Sequence, residues 1–116
     1  MVDISPLGHY LTTPDRPTAV FASNDQIAIG LYRAAASVGL SIPQDLSVVG
    51  FDNLDLSAHL EPPLMTLSQP FMQIGQRAAN LLVCHVNGYR GYCAQINLPD
   101  ELVIQRLLSP SGSARC

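Results

Sequence analysis

Two short apolar runs, Thr18 to Ala22 and Leu46 to Phe51, stand out from a chain whose other apolar residues recur mostly at three- and four-residue spacing. Near-continuous apolar runs of this length suit parallel strands buried on both faces. Each run is cut off by polar residues, Ser23-Asn24-Asp25 after the first and Asp52-Asn53 after the second. Ser, Asn and Asp favour helix N-caps because their short side chains accept from first-turn N–H groups that lack an intrahelical partner. A helix is therefore predicted from Gln26 to about Val38. Ile27, Leu31, Ala34 or Ala35, and Val38 form one apolar face, while Ile29, Tyr32 and Ala36 form a second stripe. A helix apolar on two sides is usually covered on two sides. Gly39 suits the position that leaves the helix, and Pro43 blocks its resumption.

Leu54 to Leu60 reads as a short helical turn that Pro62-Pro63 must end. Met65 to Leu67 is a brief third strand. A long helix follows from Phe71 to about Asn87, with Phe71, Ile74, Ala78, Leu81, Leu82 and His85 or Val86 on its apolar side and Asn87-Gly88 as its stop. A polar loop, Tyr89 to Tyr92, precedes two short strands, Ala94 to Leu98 and Leu102 to Leu107, that meet at Pro99-Asp100. Residues 1–17 read as a lead-in with at most a short helix around Leu7 to Leu11. Residues 109–116 read as a flexible Ser/Gly-rich tail, leaving 18–108 as the main domain. Strands alternating with helices imply an α/β fold with a largely parallel sheet.

Composition narrows the function. The chain has 116 residues, 47% hydrophobic and 13% charged, which is one globular domain or part of a larger one. Its net charge is -3, it has no lysine, and its six arginines are scattered. Binding DNA directly takes clustered basic residues to neutralise phosphates, so this chain has no nucleic-acid footprint of its own. Cys84, Cys93 and Cys116 are an odd set without a CxxC spacing, which gives neither a disulfide framework nor a zinc site. The N-terminus lacks the basic and apolar regions of a signal peptide, and the apolar runs fall far short of a membrane span. A cytoplasmic location fits. His9, His59 and His85 lack metal-ligand spacing, and no GxSxG, HExxH or Walker-type motif occurs, so no metal, cofactor or enzymatic activity is implied.

In open α/β sheets, ligands bind beyond the carboxyl ends of the strands. That rule points to Asn24 with Asp25 and to Asp52 with Asn53. Asn offers donors and an acceptor, and Asp offers charged acceptors, a combination suited to vicinal hydroxyls or a purine edge. Phe51, Phe71 and Ile74 are candidates for the apolar wall that ligand pockets generally have. The competing reading makes the polar residues caps and turn-formers, and Phe71 and Ile74 core residues of an amphipathic helix.

The segment from Arg16 to Asn53, together with Pro62-Pro63-Leu64-Met65-Thr66-Leu67-Ser68-Gln69, Phe71 to Gly75 and Leu98 to Arg106, resembles the LacI/GalR family of bacterial transcription regulators. Several motifs agree in order and spacing over nearly the whole chain. The resemblance implies a partial periplasmic-binding-protein-like (type I) fold, mainly the C-terminal lobe of an effector-binding domain. Asn24 and Asp52 match positions that hydrogen-bond the effector, a sugar ahead of a purine, and Phe71 and Ile74 match pocket-lining positions. Asp25 and Asn53 are then left mainly to capping and turn-making. Ile27, Ile29, Tyr32 and Arg33, with Ser57, His59 and Leu60, match a homodimer interface. The family's DNA-binding headpiece and most of its N-terminal lobe have no counterpart in these residues. Operator DNA would be contacted only through that headpiece, and this chain alone is expected to bind effector weakly or not at all and to self-associate. The rival expectation is a stand-alone small-solute binding module.

Overall fold

The first apolar run becomes β1 (Ala19–Phe21) and the second β2 (Ser47–Val49), paired in parallel with Val20 opposite Val48. The computed structural model describes residues 5–88 and 95–104. The described residues fall into two compact units, one built on 5–68 with 102–104 and the other on 69–88 with 95–101.

In the first unit, α1 (Ser5–Thr12) precedes β1, and α2 (Asp25–Ser37) connects β1 to β2. The pair of strands and its crossover helix make a βαβ unit, the connection that parallel strands require. The helix ends as its sequence suggests. Gly39 has φ +77. Its N–H donates to Ala36 O and that of Leu40 to Ala35 O, which satisfies two last-turn carbonyls. Alternation along the strands turns Val20, Ala22 and Val48 toward the core beneath α2. Ala28, Leu31, Ala34 and Ala35 meet them from the helix, with Leu46 and Leu64 closing the cluster. Small alanines on this face let the helix approach the sheet closely.

The lead-in contributes more than expected. Leu11 of α1 is buried in the same core, and Leu7 packs against it. The helix predicted at Leu7 to Leu11 is therefore an integral layer of this unit, held by apolar contact that a short segment rich in Pro and Gly does not advertise.

After β2 the chain makes a 3-10 turn, η1 (Asp55–His59), and returns as β3 (Thr66–Ser68). Val49 bridges Met65 in parallel, and the N–H groups of Gly50 and Asp52 donate to Met65 O and Leu67 O at 2.9 Å each. β3 thus lies on the opposite side of β2 from β1, and the three run parallel. β4 (Glu101–Val103) pairs with β3.

In the second unit, α3 (Phe71–Val86) follows the predicted span but has no buried residue. Phe71, Met72, Ile74, Leu81, Leu82, Val83 and Val86 are all exposed. The strand predicted over Ala94 to Leu98 does not form across residues 95–98. A strand needs a neighbouring edge to bond to, and among the described residues none pairs with 95–98. The end of the final predicted strand, the loop Tyr89 to Tyr92, and the tail 109–116 lie outside the described residues.

A polar strand-end site and its family

Adjacent parallel strands deliver Asn24 and Asp52 to one edge. The N–H of Ala22 donates to Val49 O and that of Asp25 to Phe51 O, both at 2.8 Å, so the ladder continues past β1 and β2 to these two positions. The rings of Phe21 and Phe51, from β1 and from just past β2, meet edge to face, with centroids 6.4 Å apart and planes at 82°. Phe21 is 64% exposed. An exposed aromatic beside polar groups is the make-up of a ligand-contacting surface. Sequence reading named Phe51 but passed over Phe21, whose place inside an apolar run made it look like core.

Asn24 is the N-cap of α2. Its backbone is extended (φ -157, ψ 168), and its Oδ1 accepts from the Ile27 N–H at 2.9 Å. The sequence pattern favours Asp25 for capping, but the structure gives the cap to Asn24. Asp25 is already the first helical residue, so its side chain is past the position from which it could close the first turn. The cap uses only the carbonyl end of Asn24. Among the described residues no acceptor engages its amide N–H2 group, and the residue is half-buried.

Asp25 is instead fully buried. Its Oδ1 accepts from the Thr66 hydroxyl at 2.6 Å and its Oδ2 from the Leu54 N–H at 2.8 Å. The Thr66 hydroxyl oxygen in turn accepts from the Asn53 N–H at 3.2 Å. Gly50 makes room for this arrangement, since a Cβ there would collide with the Asp25 carboxylate and stand 3.0 Å from Leu64 Cδ2. Asp52 and Asn53 both have positive φ, 107° and 54°. Such values are uncommon for residues with side chains and persist only where the surroundings enforce them.

Phe71 and Ile74 occupy the first turn of α3 in the second unit, where both are exposed. Of the residues assigned to an interface, Arg33 and His59 are exposed, and Ile29 is half-buried. Ile27, Tyr32 and Leu60 lean partly against the core. Burial also pushes the Tyr32 hydroxyl pKa above its ordinary value. Ser57 has no exposed surface. Its hydroxyl donates to Leu54 O at 2.6 Å, which shapes η1 from within and offers a partner no atoms to touch. Cys84 is a free, exposed thiol, and no cluster of His, Cys, Asp or Glu among the described residues is suited to hold a metal ion.

The sequence model of the periplasmic binding protein-like domain matches residues 4–106. The lactose operon repressor of Rhizobium radiobacter is 46% identical over 88 residues, covering 76% of this chain and 77% of that protein. The chain belongs to the LacI family. Other LacI-family relatives extend well beyond it. The ribose operon repressor of Haemophilus influenzae is 48% identical over 73 residues, 63% of this chain but 22% of that protein. The repressor CytR of Escherichia coli K12 is 40% identical over 95 residues, 82% of this chain and 28% of that protein. Among solved structures, a LacI family regulator from Enterococcus faecalis with bound ribose is 37% identical, with a TM-score of 0.76 over 88% of this chain and 38% of that one. A LacI family regulatory protein from Chloroflexus aggregans has a TM-score of 0.77 at 36% identity, over 88% of this chain and 37% of that one. The fold is thus periplasmic-binding-protein-like, and the helix Phe71–Val86 and the strand-end motifs stand within the matched LacI-family domain.

Proposed function

We propose that this chain carries one wall of the effector site, and one face of a homodimer contact, of a LacI-type transcription regulator that responds to a sugar. The observation that carries this reading is the placement of Asn24 and Asp52 side by side beyond the carboxyl ends of adjacent parallel strands. The cap and ligand roles of Asn24 are compatible, because its carbonyl serves the helix while its amide is turned to donors' work on a sugar oxygen. Asp52 supplies an acceptor for sugar hydroxyls, and the Phe21–Phe51 pair supplies an apolar face for the ring. Phe71 and Ile74 of α3 are assigned to effector contact on the family resemblance alone. The ribose bound by two of the structural neighbours, from Enterococcus faecium and Enterococcus faecalis, favours a sugar over a purine.

Homodimer contact is assigned to the outer stripe of α2, Ile29, Tyr32 and Arg33 with the rim of Ile27, and to His59 and Leu60 at the end of η1. The regulator acts in the cytoplasm by binding and not by turnover, and operator DNA is read by a separate basic module, in keeping with the acidic charge of this chain. Effector binding shifts the protein between two states of different affinity, which is what allows a sugar to change DNA binding.

The test is a titration of the isotopically labelled chain with ribose, other pentoses and hexoses, sucrose and nucleosides, followed by NMR. A sugar is expected to shift the amides around residues 21–25 and 50–53 with a dissociation constant in the millimolar range, about -4 kcal/mol for one wall of a cleft. Silence at these amides across the whole panel would sink the site. Micromolar affinity by calorimetry would instead show that the wall is a complete site.

A further inference from the structure

We infer that Asp25 and Thr66 form a positioning pair that sets the conformation of the ligand-reading loop Asp52 to Leu54. This rests on the proposed sugar site and adds to it two residues that touch no ligand. Three consecutive backbone N–H groups leave the end of β2, and each is held by a group from outside the loop. The N–H of Asp52 is taken by Leu67 O, that of Asn53 by Thr66 Oγ1 and that of Leu54 by Asp25 Oδ2. The last two acceptors are joined to each other by the Thr66–Asp25 hydrogen bond. Both side chains are fully buried.

Burying a carboxylate is costly, and an apolar side chain of similar size would fill the same volume without desolvating a charge. What an apolar residue cannot do is accept from Leu54 N–H and Thr66 Oγ1 together. The two acceptances hold Asn53 and Leu54 in place while Asp52 and Asn53 adopt positive φ, the backbone conformation that fixes where Asp52 projects. Gly50 belongs to the same device, because only a residue without Cβ lets the Asp25 carboxylate lie against the strand. The pair therefore links the first turn of α2, where Asn24 caps, to the loop that presents Asp52. Leu54 is also the N-cap of η1, so the same carboxylate anchors the start of the turn that carries His59.

The experiment compares Thr66→Val, Thr66→Ser and the remote core variant Leu46→Ala with the parent chain, by ribose titration and by amide exchange. Thr66→Val keeps the shape of the side chain and removes the hydroxyl. It is expected to weaken ribose binding about tenfold, the equivalent of one lost charge-assisted hydrogen bond. The amides of Asn53 and Leu54 should lose exchange protection while that of Ile27 keeps its own. Thr66→Ser restores both. Leu46→Ala lowers stability but leaves ribose affinity of the folded chain unchanged, which separates positioning from general destabilisation. Ribose affinity in Thr66→Val equal to the parent's would overturn the inference. If the parent responds neither to ribose nor to the other sugars of the panel, the sugar reading fails by that result, and the amides of Asn53 and Leu54 still decide the pair. Unaltered protection and shifts there in Thr66→Val would show that it does not hold the loop.

Discussion

The Thr66 hydroxyl donates to the Asp25 carboxylate at 2.6 Å, joining two residues 41 positions apart in the chain. Neither side chain has exposed surface, and each finds its partners within the protein. Removing one partner leaves the other buried and unsatisfied. Asp25→Ala strands the Thr66 hydroxyl and the Leu54 N–H together, and it is expected to destabilise the fold by about 3 kcal/mol. Thr66→Val should cost about half of that. Urea denaturation followed by circular dichroism measures both, and equal stability of Asp25→Ala and the parent would contradict the network.

Gly50→Ala is expected to cost about 2 kcal/mol, in the range of an overpacked core. The added methyl meets the Asp25 carboxylate, which is fixed at both oxygens and cannot move aside without breaking them. The double variant Gly50→Ala with Asp25→Ala should lose less than the sum of the single effects, since the colliding group is gone. Strict additivity of the two would mean that they do not meet.

Asn24 separates its two roles by substitution. Asn24→Ala removes the N-cap and should lower stability by about 1 kcal/mol. Asn24→Ser retains an acceptor for Ile27 N–H and should stay within about 0.5 kcal/mol of the parent. Both lose the amide donor, so both are expected to abolish the response of residues 21–25 to sugar. Full sugar binding by Asn24→Ser would confine Asn24 to capping.

Self-association is expected at high micromolar concentration through the outer stripe of α2. Sedimentation velocity should show a dimer that Ile29→Arg and Tyr32→Ala disperse. A monomeric boundary for the parent chain at that concentration would remove the dimer assignment.

Tyr32 makes alkaline stability a further probe. Burial raises its pKa in the folded chain above the value of about 10 that an unfolded tyrosine has. Between those two values the folded state holds a proton that the unfolded state has released. Stability is therefore present in full below about pH 10 and is lost as pH rises through the folded pKa. Tyr32→Phe should flatten that part of the profile, read as urea midpoints between about pH 9 and 11.5. An unchanged slope would place the loss on other groups.

The local signals in the sequence were strong where one residue type answers one local need. Gly39 ended α2 with positive φ, Pro62-Pro63 ended η1, and the apolar runs at Ala19 and Ser47 became parallel strands, because backbone freedom and burial periodicity are written into short segments. The motif spacing also placed the chain in its family. The tertiary structure decided what the polar residues at the strand ends do. Asn and Asp in sequence are equally good caps, and only the extended backbone at Asn24 assigned the cap to it. Asp25, one residue later, found its partners in Leu54 and Thr66, at separations of 29 and 41 residues, which no local pattern specifies. Ser57 likewise matched an interface position by resemblance, and only the folded chain shows it fully buried. Asn24 and Asp52 were recognisable as ligand candidates from the sequence, but the loop that holds Asp52 in place is a product of long-range contacts.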